Sequence, residues 1–188
     1  MYSLFFKRGL DILISGIAII ILSPIYIITG IVIYLQDFGP IIFKQQRIGQ
    51  NGNHFLFFKF RSMPVNTPNV QSTDVSKLKI TPFGKIIRRT SIDELPQLFN
   101  ILIGDMSIVG PRPSISTQIN LIELRKTNGS LSLKPGLTGY AQINSYDFMP
   151  ETEKAKFDGY YFKNISFLLD LKIIFSTFLY LLKKPPTY

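Results

Sequence analysis

The chain has 188 residues, 21 Lys and Arg against 12 Asp and Glu, a formal net charge of +9, no cysteine and one histidine. That length supports one domain with a real core, and the absence of cysteine excludes a disulfide framework and a thiol nucleophile. With His54 as the sole imidazole, a His-clustered zinc site and a Ser-His-Asp triad are excluded, so any chemistry falls to carboxylates, lysines or hydroxyls.

The first element is an uncharged run, ILISGIAIIILSPIYIITGIVIYL, residues 12–35. It exceeds the roughly 7–15 apolar residues of a signal peptide, shows no cleavage site, and reaches the roughly 20 that cross a bilayer. Ser23 and Pro24 interrupt it, and the proline removes the bond to the Ile20 carbonyl. One reading is a kinked single span. The other is a re-entrant helix–break–helix that turns at Ser23-Pro24 and leaves on the side it entered. Cationic flanks prefer the cytoplasmic side. Lys7 and Arg8 precede the run and Lys44, Arg47, Lys59 and Arg61 follow it, which favours re-entry. Residues 1–37 are thus expected to anchor the chain, and residues 38–188 to form a cytoplasmic-face domain.

FKQQRIGQNGNHFLFFKFRSM predicts a β-hairpin, because Asn51-Gly52 is the strongest short turn signal. Lys59 and Arg61 alternate with Phe58 and Phe60, so both cations share a face. That face is either solvated or lines a phosphate site. Residues 62–80 are polar and contain Pro64 and Pro68, which predicts a loop, with a mobile cover as one reading. Thr81-Pro82 then opens a short helix by a cap and a first-position proline, with Lys85, Arg88 and Arg89 along one side. A basic amphipathic helix suits a membrane surface, a phosphate-binding wall or plain solvent.

The stretch SIDELPQLFNILIGDMSIVGPRP, residues 91–113, sets Asp93 and Glu94 side by side in a basic chain. Ser91 and Glu94 match a capping box. Pro96 fits better if Asp93 is the cap, since it then falls in the first turn, where its missing N–H has no partner anyway. In that register the helix end lowers the pKa of Asp93. Pro111 and Pro113 stiffen the backbone around Arg112, whose guanidinium suits a pair of phosphate oxygens. A salt-bridge cluster without chemistry accounts for the same residues.

The last element, residues 167–184, separates at ~100° per residue into two sides. Asp170, Lys172, Ser176, Thr177, Tyr180, Lys183 and Lys184 fall on one. Leu168, Leu171, Ile174, Phe175, Phe178, Leu179, Leu181 and Leu182 fall on the other, with Leu169 and Ile173 as exceptions. Such a helix lies along an interface or packs on a soluble core. The fold class expected is mostly α with a small β-hairpin: a re-entrant membrane helix and amphipathic interfacial helices around a compact catalytic domain. No long parallel-strand runs support a Rossmann-like plan. The positive charge needs an anionic partner, such as nucleic acid, lipid headgroups or phosphorylated small molecules, unless it serves solubility alone. No nucleic-acid-binding module is recognisable.

DELPQLFNILIGDMSIVGPRP, with KFRSM before it and KPGLTGYAQIN after it, closely resembles the small monotopic phosphoglycosyl transferases of the bacterial sugar transferase family. The likeness runs from Lys7-Arg8 through FDGYYFKNISFLLDLKI. The resemblance implies transfer of a phosphosugar from a UDP-sugar, with an N-acetylated one favoured, to polyprenyl (undecaprenyl) phosphate, with release of UMP. It implies a covalent intermediate on Asp93, Glu94 as a metal ligand or proton-transfer group, Mg²⁺ dependence with Asp93 and Glu94 as ligands, and a re-entrant helix broken at Ser23-Pro24. Lys59, Arg88 and Arg112 are then expected to bind phosphate, and Asp158, in the matched block, to add a substrate, metal or structural contact. The expected location is the cytoplasmic face of the bacterial inner membrane. A homo-oligomer or downstream glycosyltransferases are further partners considered. One departure stands out. Where the family often has Asn-Gly-Arg, this chain has Asn144-Ser145-Tyr146, so a basic contact is missing there. The alternative is a non-catalytic lipid-binding or scaffold protein, which the basic amphipathic helices alone would support.

Overall fold

Residues 4–67, 80–146 and 149–182 are described by a computed structural model. Most of residues 62–80 expected as a loop, and Lys183 and Lys184, lie outside the described residues. Leu4–Gln36 form one helix, α1. Its inward stripe recurs at three- and four-residue intervals. Asp11, Ser15, Thr29 and Ile33 are buried on it, and Ala18, Ile19, Leu22 and Tyr26 pack beside them. The rest of its surface is apolar and exposed, with Ile12, Leu13, Ile17, Ile20, Ile21, Ile27, Ile28 and Ile31 outermost.

Ser23 and Pro24 lie within this continuous helix, contrary to the expected helix–break–helix. The Ser23 hydroxyl donates to the Ile20 carbonyl at 2.8 Å, the acceptor that proline leaves without its N–H. The lost donor is replaced locally and the helix continues.

Both ends of α1 are tied to the same body. Lys7 Nζ meets Asp170 Oδ2 at 2.6 Å, and Arg8 donates to the Ile101 and Leu102 carbonyls at 2.5 and 2.9 Å. Asp11 Oδ1 accepts from the Ile108 N–H at 3.0 Å. At the far end Arg61 donates to the carbonyls of Ile33 and Asp37.

Strands β1 (Ile42–Ile48) and β2 (His54–Phe60) pair antiparallel from Ile42↔Phe60 to Ile48↔His54. Asn51 and Gly52 take φ of 57° and 83° at the turn, the left-handed geometry that an Asn-Gly hairpin needs. Helix α2 (Pro82–Arg89) starts at Thr81, whose hydroxyl accepts from the Gly84 N–H at 3.0 Å. Ile87 is buried against Ile33 and Phe60. Helix α3 (Gln97–Ile103) carries Asn100, fully buried, at the free edge of β2. Its amide donates to the Leu56 carbonyl at 2.7 Å and accepts from the Phe58 N–H at 3.0 Å. One side chain thereby completes a sheet edge that would otherwise hold unpaired backbone groups.

A second, parallel pair follows, β3 (Ser107–Val109) with β4 (Gly136–Thr138). Three-residue strands leave no readable alternation, and the sequence gives no sign of this pair. Between them lies α4 (Ile119–Thr127); after them come α5 (Tyr140–Ile143), α6 (Glu151–Asn164) and α7 (Phe167–Leu182). The main core gathers Phe57, Leu98, Ile101, Met106, Val109, Tyr161 and Ile173.

Helix α7 directs two of its polar residues, Asp170 and Thr177, inward and leaves Lys172 exposed. Asp170 is buried and accepts from the Tyr161 hydroxyl at 2.6 Å, and the Thr177 and Thr138 hydroxyls meet at 2.6 Å. Ile173, an exception in the two-sided division, is fully buried beside them. Leu168, Leu171, Phe175, Phe178 and Leu179 point outward and are exposed. Leu169 and Ile174 pack on the core as in an ordinary helix, but such a helix does not leave so many large apolar residues in the open.

Gly136 tests the tightness of the second strand pair. A Cβ there would sit 2.1 Å from the Gly110 nitrogen and 2.3 Å from the Thr138 oxygen, both backbone atoms. Gly136→Ala is expected to cost about 3 kcal/mol in thermal unfolding in detergent micelles. Gly9→Ala, whose Cβ meets nothing within 4 Å, is expected to gain about 0.5–1 kcal/mol as a helical glycine.

Candidate active site

The two adjacent acids sit in a single 3₁₀ turn, Ile92–Glu94, between α2 and α3. Ser91 enters it with φ 55°, a left-handed conformation costly for a residue with a Cβ, and this reverses the chain as it leaves α2. Pro96 caps α3, which begins at Gln97. Asp93 is therefore not the helix cap expected from the sequence, and Ser91 makes no side-chain cap bond either. The 3₁₀ turn absorbs the residues that an earlier helix start would have used.

Adjacent side chains on such a turn diverge by about 120°, yet both acids reach one cation from two sides. Lys59 Nζ lies 2.7 Å from Glu94 Oε1 and 3.5 Å from Asp93 Oδ2. Arg112 Nη2 meets the same Glu94 oxygen at 3.0 Å. Arg88, whose Nε donates to the Ser62 hydroxyl at 3.0 Å, adds its charge beside Asp93. The structure thus brings together Asp93, Glu94, Lys59, Arg88 and Arg112.

Two expected residues do not join them. Arg61 is committed to the end of α1. Asp158 on α6 is 1% exposed and paired with Arg125 on α4, at 2.8 Å to Nε and 2.7 Å to Nη2. Burial pushes the Asp158 carboxyl up, and Arg125 opposes that rise. Asp158 is a buried ion-pair partner with no contact to the acids.

Arg47 joins the site although sequence reasoning did not single it out. Residues directly opposite in an antiparallel pair share a face. Phe43 lies opposite Lys59, and Arg47 follows Phe43 by four residues on the same strand. The Asn51-Gly52 register therefore put Arg47 on the Lys59 face. Arg47 and Lys59 both lie over the Phe57 ring, at 5.3 and 5.7 Å from its centroid. Burial and the neighbouring Arg112 lower the Arg47 pKa to about 10, against the pull of Glu94.

The two acids are driven apart. Burial raises the Asp93 pKa and the Glu94 charge adds to it; Lys59 and Arg88 oppose without cancelling. Burial also disfavours ionised Glu94, but Lys59 and Arg112 together outweigh it and hold this carboxyl well below the usual range. One acid is held firmly as an anion by its cations and the other kept more basic, the arrangement that divides roles between paired carboxylates. Among the described residues no group of three or more His, Asp or Glu side chains could cage a metal. The departing loop closes on itself: Ser145 Oγ donates to the Gln142 carbonyl at 2.8 Å and the Tyr146 hydroxyl to Glu153.

The family model described as Bacterial sugar transferase matches residues 2–184. The chain belongs to this family. Among its relatives is UDP-N-acetylgalactosamine-undecaprenyl-phosphate N-acetylgalactosaminephosphotransferase of Aeromonas hydrophila, 40% identical over 92% of this chain and 43% of its own length. A UDP-glucose:undecaprenyl-phosphate glucose-1-phosphate transferase of Klebsiella pneumoniae is 40% identical over 92% of this chain and 39% of its length. The chain thus spans about two-fifths of these relatives. The exopolysaccharide production protein ExoY of Sinorhizobium fredii, 36% identical, is covered over 83% of its length by 91% of this chain. In this member of the family, Asp93 and Glu94 are the acids that the fold surrounds with cations.

The opposite shifts give opposite stability effects. The folded state holds the Asp93 proton more tightly than the unfolded chain does. Stability from this group therefore falls as pH rises above the unfolded value of about 3.9, and Asp93→Asn is expected to raise Tm at pH 7.5. The Glu94 contribution is complete above about pH 4.3 and is lost as pH falls toward its depressed folded value. Glu94→Gln is expected to lower stability at pH 7.5 by about 2 kcal/mol, a difference that shrinks in unfolding scans as pH drops below 4.

Proposed function

We propose that this chain transfers a phosphosugar from a UDP-sugar to polyprenyl phosphate at the cytoplasmic face of the bacterial inner membrane. The observation that carries the reading is Asp93, a carboxylate of raised basicity, standing among Lys59, Arg88 and the Arg112–Glu94 pair. An anionic nucleophile approaches a diphosphate only where cations offset the donor's charge, and these side chains are placed to do so.

The reaction proceeds in two displacements. A carboxylate oxygen of Asp93 attacks the phosphorus that bears the sugar; an oxygen–phosphorus bond forms, and the bond to the bridging oxygen breaks with release of UMP. A phosphate oxygen of the polyprenyl acceptor then attacks the same phosphorus, giving the polyprenyl diphosphosugar and restoring the carboxylate. Splitting one transfer into two is the gain of covalent catalysis. Lys59, itself held by Glu94, keeps Asp93 in place, and Arg112 and Arg88 bind the phosphates.

Mg²⁺ fits the residues present. Asp93 and Glu94 aim oxygens toward the Lys59 ammonium and so toward one another's side of the turn, and this hard ion needs only one or two carboxylates together with substrate phosphates and water. When bound by the two acids and the diphosphate it would supply charge neutralisation.

The membrane assignment is supported by the exposed apolar faces of α1 and α7, which exceed the scattered apolar residues of a soluble surface. The ties of Lys7, Arg8 and Asp11 at one end and Ile33 and Asp37 at the other, all to one domain, favour both ends on one side of the bilayer. That is a re-entrant or monotopic placement without two separate helices.

A panel of UDP-sugars with polyprenyl phosphate, scored for UMP release, tests the activity. Asp93→Asn is expected to lose at least about 1,000-fold in turnover, and the wild type to carry a phosphosugar adduct on Asp93. Full turnover by Asp93→Asn rejects the nucleophile, and no UMP from any donor favours a lipid-binding scaffold. Native cysteine is absent, so Gly9→Cys and Gln36→Cys are expected to be labelled from the same side of sealed vesicles. Labelling from opposite sides rejects the monotopic placement.

A further inference from the structure

The Arg112 side chain is 54% exposed, so packing does little to aim it; Glu94 holds its tip, and the backbone that carries it sets where its root stands. That backbone is unusual in its hydrogen bonding. Pro111 and Pro113 on either side lack an N–H, so the loop holds its shape mainly through its carbonyls. Four outside donors hold four consecutive carbonyls. The Gly136 N–H donates to Pro111 at 2.8 Å, Arg125 Nη1 to Arg112 at 2.9 Å, Arg47 Nη1 to Pro113 at 3.4 Å, and the Ile48 N–H to Ser114 at 2.8 Å.

The donor on Arg112 is the one with the most elaborate support. Arg125 is 5% exposed and Asp158 1%. Helices α4 and α6 come close enough for their meeting because Gly159 lies against Asn128; a Cβ there would be 2.9 Å from the Asn128 amide nitrogen. Asn128 itself donates to the Ala155 carbonyl at 2.6 Å. Two helices could join more simply, since an apolar pair of similar volume holds such an interface as well as a buried ion pair does. An apolar pair could not reach the Arg112 carbonyl.

We infer that Arg125, oriented by Asp158, is a positioning residue: it fixes the Arg112 carbonyl and so aims the Arg112 guanidinium at the phosphate bound beside Asp93 and Glu94. The inference rests on the transferase reading above. The chain of contacts runs from Asp158 through Arg125 and the Arg112 backbone to Glu94 Oε1, and it gives the buried Asp158 a role at the site without touching substrate.

A double-mutant cycle tests it. The proteins are the wild type, Arg112→Ala, the volume-conserving pair Arg125→Met with Asp158→Leu, and the combination of all three, each purified in full length in detergent. The pair variant is expected to keep its helical circular dichroism and lose about 10–100-fold in kcat/KM for the UDP-sugar, the scale on which misplaced groups act. In the Arg112→Ala background the same pair is expected to cost no more than about twofold. Losses that multiply in the combined variant, or a pair variant at wild-type kcat/KM, overturn the inference. Should the pair variant unfold, Arg125→Lys keeps the charge on Asp158 but not the guanidinium fork. A loss of about tenfold at unchanged Tm supports the inference, and wild-type turnover overturns it. Activity of the unmodified protein is the separate control on the transferase reading. Without it, the cycle is read on UDP affinity by calorimetry, where coupling between Arg112 and Arg125 supports the positioning role and independence overturns it.

Discussion

One ammonium group between two neighbouring carboxylates organises this molecule. Lys59 touches Glu94 closely and Asp93 at longer range, and that inequality divides the acids. Glu94 gains Arg112 as well and becomes the settled anion; Asp93 keeps the larger share of its burial penalty. A carboxylate less satisfied by its neighbours is more basic, which suits Asp93 to the nucleophilic role proposed for it. Much of the surrounding architecture serves to deliver Lys59 and the two acids to one place. The Asn51-Gly52 turn sets the strand register, Asn100 holds the edge of β2 just before Lys59, and Ser91 bends the chain so that the acidic turn faces the strand.

How far the sequence discloses this depends on the range of the interaction involved. The hairpin and the start of α2 follow from neighbours in the chain, Asn51 beside Gly52 and Thr81 beside Pro82, and both appear as expected. The grouping of Asp93 and Glu94 with Lys59, Arg88 and Arg112 came through the family motif. Local rules misplaced the start of α3 because a 3₁₀ turn can occupy residues that a cap rule gives to the helix. They misplaced the break at Pro24 for a related reason: the Ser23 hydroxyl makes good the loss that the proline rule counts.

The longer-range partners left no such trace. Arg125 and Asp158 are 33 residues apart, and Asn100 reaches residues 56 and 58. A buried polar side chain looks on paper like any solvated one until its partner is known. Arg47 is the instructive intermediate case. Its place beside the site was contained in the hairpin register and needed only the step of carrying the pairing four residues along the strand.

Helix α7 departs from the usual plan: Asp170 and Thr177 join Ile173 at the core, while Phe175 and Phe178 are directed away from it. Such a surface marks an interaction site rather than a side turned to water. On the membrane placement proposed above, hydrocarbon covers that side of α7, and the same leucines and phenylalanines become a self-association surface wherever it is withdrawn.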